Sequence, residues 1–165
     1  MTQSDIFSIR ALKGVGDKLI ILSFLKCMPQ FNPAEISIAE ELIDQYLTLG
    51  EASGYHTYVA GRGTGVMGYI CYGPTPLTRA SWDIYWIAVN PASQGRGIGC
   101  QLMQFAEKAI FKQGGRIIML ETSSRPDYMV TRQFYRHLGY KIEAKISDFY
   151  SPGDHKLILV KRYAA

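Results

Sequence analysis

The stretch Trp82–Gly99, WDIYWIAVNPASQGRGIG, constrains this chain more than any other. Asp83–Val89 predicts a buried strand, Asn90-Pro91 a turn, and Gln94–Gly99 a glycine-rich loop. The loop opens into an amphipathic helix, CQLMQFAEKAIFKQ, starting at Cys100. The first backbone N–H groups of a helix lack intrahelical partners, and the macrodipole adds partial positive charge there. A strand, a glycine loop and a helix N-terminus therefore make a phosphate-binding device. Gly95, Gly97 and Gly99 allow positive φ and close approach of an anion, and Arg96 adds a forked donor.

The spacing decides which phosphate ligand. A Walker loop needs Lys-Ser or Lys-Thr after its last glycine, and neither follows Gly99. The dinucleotide pattern G-x-G-x-x-G is missed, because these glycines fall at alternate positions. Gln94-Gly95-Arg96-Gly97-Ile98-Gly99 instead resembles the Q/R-x-x-G-x-G/A signature of the GCN5-related N-acetyltransferases (GNAT). The resemblance includes Ile87-Ala88-Val89 before Asn90-Pro91. It also includes Gln133–Tyr140, QFYRHLGY, similar to the family's F-Y-x-x-x-G-F/Y. It is specific from Trp82 to Tyr140 and extends in outline from Ile6 to Arg162.

A chain of 165 residues with 47% hydrophobic content suits one domain, residues 1–165, with a sizeable core. No apolar run reaches the ~18 residues of a membrane span, and no signal peptide is evident at MTQSDIFSIR. Cys27, Cys71 and Cys100 are odd in number and lack metal or redox spacing, which points to a reducing cytoplasm. His56, His137 and His155 share no ligand spacing, so no metal is expected. A net charge of +4 from scattered Lys and Arg argues against nucleic acid. A homodimer is left open.

Along the chain, Asp5–Leu12 alternates as a first strand, and Gly14 and Gly16 break it. Asp17 is the expected N-cap of a helix ending before Pro29. Asn32, Pro33 and Glu35 form a capping box for a helix over Pro33–Leu49, closed by Gly50. Thr57–Ala60 and Val66–Tyr72 predict a hairpin around Gly61–Gly65. Arg116–Glu121 is a further buried strand, so strand–helix–strand gives a parallel pair by the right-handed crossover. A short helix over Tyr128–Leu138, stopped by Gly139, leads to strands Tyr140–Phe149 and His155–Arg162. A loop Asp148–Asp154 is expected between them. The class is α+β, a mixed, mostly antiparallel sheet with one parallel pair and about four helices. The resemblance implies that this pair splays.

What the resemblance implies chemically can be stated by residue. Acetyl-CoA is the acyl donor, and an amine is the acceptor in a direct ternary transfer. Backbone groups of the Ile87-Ala88-Val89 segment hold the pantetheine arm, those of Ile87 and Val89 as an added strand would. Gln94, Gly95, Arg96, Gly97, Ile98, Gly99 and Cys100 hold the pyrophosphate. Tyr135 donates a proton to the departing thiolate, as a phenol can at neutral pH. Tyr128 stands where the family often has a cofactor-contacting Asn. The general base stays open: Asp83, Glu121 and a water chain are the candidates, since Tyr85 occupies the position of the histone-acetyltransferase Glu. The acceptor is expected to be a small amine or amino-acid-like metabolite, drawn by Asp83 and the 148–154 carboxylates. A protein N-terminus, a lysine side chain, or a non-catalytic acyl-CoA sensor are the alternatives.

Overall fold

The computed structural model describes residues 7–163. The chain gathers into two compact units. The first holds residues up to Gly73 together with Trp86–Lys108; the second holds Pro74–Tyr85 and the chain from Ala109 onward.

In the first unit, strand β1 (Ser8–Ala11) pairs antiparallel with β2 (His56–Arg62), and β2 with β3 (Gly65–Pro74). Helices α1 (Gly14–Lys26) and α2 (Pro33–Leu49) supply one wall of its core. Ile21, Leu25, Ile43, Val59, Tyr69 and Ala88 pack there, each nearly or wholly excluded from solvent. Burying each large aliphatic side chain is worth about 1.5–3 kcal/mol. The capping box of α2 forms as expected: the Glu35 N–H donates to Asn32 at 3.0 Å, and the Asn32 N–H donates to Glu35 at 2.8 Å. Gly50 closes the helix.

The start of α1 differs from expectation. The helix begins at Gly14, and Asp17 lies inside its first turn. The Asp17 carboxylate reaches back to accept the Lys13 N–H at 2.7 Å and both Arg10 guanidinium nitrogens at 2.6 and 2.9 Å. A buried carboxylate can serve the helix end from within when a cation neutralises it. Of the strand expected over Asp5–Leu12, Ser8–Ala11 is seen; Asp5 and Ile6 lie outside the described residues.

The second unit orders its strands β4-β5-β7-β6, with β4 (Ser81–Val89), β5 (Ile117–Ser123), β6 (Lys141–Ser151) and β7 (Asp154–Arg162). The β4–β5 ladder is the parallel pair, and it is short: Ser81↔Ile117, Trp82↔Ile118, Asp83↔Met119. β5 continues against β7 to Ser123↔Lys156. Period-two alternation buries Ile118, Leu120 and Thr122 and leaves Glu121 exposed. Gly115, before β5, admits no side chain, since a Cβ would stand 2.3 Å from the Ile110 side chain and 2.8 Å from the Trp82 ring. Helix α4 (Met129–His137) ends at Gly139, whose φ of +92° suits glycine.

The loop expected over Asp148–Asp154 is a two-residue turn, Pro152-Gly153, because β6 continues to Ser151, which pairs with Asp154. Asp154 is buried and accepts the Ser123 hydroxyl at 2.5 Å, so it is not a free carboxylate.

Candidate active site

The glycine-rich loop lies in the first unit, between the end of β4 and the start of α3 (Ile98–Lys112). At the end of β4 the Asn90 N–H donates to the Met67 carbonyl at 2.8 Å. The Asn90 side chain accepts the Ala92 N–H at 3.1 Å, shaping a 3-10 turn over Pro91–Ser93. The Gln94 amide reaches back to the Val89 carbonyl at 3.2 Å. Its side chain thus fixes the loop to the strand, and one lone pair of Val89 is already used. Gly95 and Gly97 take φ of +77° and +75°, and the space where their Cβ atoms would stand is open. Residues 94–97 are exposed.

Helix α3 begins at Ile98, two residues earlier than expected, so Cys100 is its third residue. The first turn holds no acidic side chain. Exposed loop amides, an open glycine cradle and a helix N-terminus without a competing carboxylate fit a phosphate ester. Gly68 on β3, which no sequence motif marks, supports this loop from beneath. A Cβ there would meet the Ala88 carbonyl at 3.0 Å, Ile98 at 3.2 Å and Leu102 at 3.3 Å. Its absence lets α3 sit close on the strands. Ala88 is buried, while Ile87 and Val89 on the other face are half-buried.

The titratable candidates belong to the second unit. Tyr135 on α4 is buried, its ring set edge-on against Tyr140 at 6.1 Å. Burial, and then the nearby Tyr128 phenol, push its pKa well above the usual tyrosine range, so it carries its proton throughout the physiological range. Tyr128 caps α4 from outside, with the Arg125 guanidinium 5.2 Å over its ring.

Asp83 sits at the last rung of the parallel ladder and accepts the Thr75 hydroxyl at 2.5 Å. Burial raises its pKa, the Thr75 bond opposes this, and the Glu121 charge adds to the rise. Glu121 lies two residues beyond that rung, on the same sheet face as Met119 and Asp83. It is half-exposed and bonded to Lys156 at 2.6 Å. Tyr85 is partly exposed. Among the described residues no group of His, Cys, Asp and Glu is arranged to hold a metal, and no helix is long and apolar enough to cross a membrane.

Comparison with known proteins places this geometry. The family model for the acetyltransferase (GNAT) domain matches residues 53–142. A crystal structure assigned to a GNAT-family acetyltransferase of Desulfovibrio desulfuricans superposes with a TM-score of 0.92 at 36% identity, covering 96% of this chain and 100% of that one. An aminoglycoside 6'-N-acetyltransferase complexed with coenzyme A is similar in fold, with a TM-score of 0.76 at 17% identity over 96% and 98% of the two chains. So is the Escherichia coli ribosomal-protein-S18-alanine N-acetyltransferase, with a TM-score of 0.75 at 15% identity over 97% and 96%. No curated protein matches the sequence. The glycine loop, the parallel pair in a mostly antiparallel sheet and these matches agree: the chain belongs to the GNAT family of acetyltransferases.

Proposed function

We propose that the protein moves the acetyl group of acetyl-CoA to the primary amine of a small, amino-acid-like acceptor, without an acetyl-enzyme. The observation that carries this is the open cradle of Gly95 and Gly97 at the start of α3. Its amides, with those of Ile98, Gly99 and Cys100, would bind the pyrophosphate, and Arg96 would add charge. Backbone groups of Ile87 and Val89 would hold the pantetheine arm. Acetyl-CoA supplies a thioester, whose acyl carbon bonds to the acceptor nitrogen as its bond to sulfur breaks.

The residues of the chain manage the protons. Tyr135 keeps its proton at neutral pH and is the donor to the developing thiolate, as a hydrogen bond or by transfer; burial, which raises its pKa, works against full transfer. Of the two carboxylates, Glu121 is the more accessible and serves as the base, taking the acceptor's proton directly or through water. It is half-exposed beyond the end of the parallel ladder. Asp83 is engaged by Thr75 within that ladder. The free thiols of Cys27, Cys71 and Cys100 suit the cytoplasm.

The test is thiol release from acetyl-CoA against a panel of small amines, amino acids and N-terminal peptides, with Tyr135→Phe alongside. Turnover with one small-amine class, reduced about a hundredfold in the variant, is expected. Turnover with N-terminal peptides alone would move the acceptor to proteins. Binding of acetyl-CoA without release across the panel would leave a sensor domain.

A further inference from the structure

The β6–β7 hairpin presents a cation that the acetyl-transfer chemistry above does not use. Lys156 on β7 stands opposite Ser123 of β5, one side-chain step along the same face from Glu121. Its ammonium makes two contacts. It lies 2.6 Å from a Glu121 carboxylate oxygen and 4.1 Å from the centre of the Phe149 ring. The lysine side chain is only 14% exposed, whereas Glu121 is 52% exposed and Phe149 49% exposed. Glu121 and Phe149 thus each keep about half their surface open to solvent, while the cation between them is largely covered.

A carboxylate beside an aromatic face is what recognises an alkylammonium: the anion supplies charge and a hydrogen-bond acceptor, and the ring supplies its quadrupole. Lys156 itself offers four methylenes and a primary ammonium, the chemistry of an amine substrate. A tethered ammonium competes at high effective concentration. An external amine therefore gains this site only to the extent that Lys156 vacates it.

We propose that Glu121 and Phe149 form a recognition site for a protonated primary amine, and that the chain's own Lys156 fills it until an acceptor displaces it. As an account of the acceptor this rests on the acetyl-transfer reading, and it narrows that acceptor to amines cationic when they bind. The carboxylate that holds the ammonium is then also the one placed to take its proton. Lys156 is a specificity-setting residue, not a reacting one.

The test titrates n-butylammonium, with 1-butanol as the uncharged control, into protein carrying 13C-labelled phenylalanine rings, read at Phe149. The wild type should bind the cation weakly. Lys156→Met, which keeps the apolar stem and drops the charge, should bind it about tenfold more tightly. Lys156→Arg should stay weak, Glu121→Gln should lose the response in either background, and butanol should give none. Equal affinity in Lys156→Met and wild type, or an equal response to butanol, would overturn the proposal. So would acetylation of Lys156 itself, read by peptide mass after incubation with acetyl-CoA, because Lys156 would then be an acceptor. Acetyl-CoA binding is measured separately by calorimetry. Its absence in the wild type would remove the acetyl-transfer reading while leaving the butylammonium result to stand or fall alone.

Discussion

The two units carry their chemistry in different materials. In the first, the candidate cofactor cradle is made of backbone: glycines at +77° and +75°, loop amides and the start of α3. In the second, the candidate chemistry is made of side-chain pairings, Glu121 with Lys156 and Ser123 with Asp154 across strands, and Asp83 with Thr75 of the loop before β4. A backbone site depends on which residues lack a side chain. A side-chain site depends on register, set by strands far apart in sequence. Substitutions in the two units should therefore fail in different ways.

The largest effect is expected at Asp17. Removing it leaves the Arg10 guanidinium and the Lys13 N–H without their carboxylate. Loss of one partner of a buried pair costs about 3–5 kcal/mol, and with Arg10 partly exposed, Asp17→Ala should cost nearer the lower end in urea unfolding. Burial works to raise the Asp17 pKa, but the Arg10 and Lys13 hydrogen bonds and charges outweigh it and hold the group below the ordinary carboxylate range. A depressed folded pKa stabilises fully above the unfolded value, near 4, and the gain is lost as pH falls through the folded one. The difference between wild type and Asp17→Asn should accordingly shrink on acidification below about pH 4.

Next comes Gly68. A valine there would press on the Ala88 carbonyl and on Ile98. Overpacking of this kind costs about 1–3 kcal/mol. Weakened acetyl-CoA binding should accompany it, because α3 would be lifted. A loss of stability with unchanged acetyl-CoA affinity would break the link between this packing and the cradle.

The capping box is a smaller effect confined to the first unit: Asn32→Ala should cost about 1 kcal/mol and leave acetyl-CoA affinity unchanged. Smallest is Asp83. Burial, the larger cause, and the Glu121 charge raise its folded pKa. A raised carboxyl favours the folded state below its unfolded pKa and loses that advantage as pH rises. Asp83→Asn, which can still accept from Thr75, should raise the melting temperature slightly at pH 7, with the gain vanishing near pH 3.

The same contrast explains what was legible in the sequence. The α2 capping box, the β2–β3 hairpin, the glycine loop and the parallel pair all appear, the expected Gly61–Gly65 connection tightening to a Gly63-Thr64 turn because Arg62 pairs with Gly65. The start of α1 differs from the sequence expectation because Asp17 serves the helix end from inside its first turn with help from Arg10 on another element. The hairpin after β6 is shorter than its sequence suggests because Asp154 has the composition of a loop residue but pairs with Ser151. Its burial is fixed by Ser123, 31 residues away in sequence. Lys156 carries no sequence signal for the same reason, since only the β5–β7 register brings it to Glu121. Gly68 was hidden because a glycine in a strand signals close approach without naming what approaches.

The central claim is that the backbone from Gly95 to Cys100 receives the phosphates of acetyl-CoA. The most direct measurement is an amide NMR titration of the 15N-labelled protein with acetyl-CoA, repeated with Gly97→Val. Saturable shifts are expected, largest at the amides of Gly95, Gly97, Gly99 and Cys100, lost in the variant while its fold is kept. Binding that leaves those amides unmoved, or affinity unchanged in Gly97→Val, would contradict that claim.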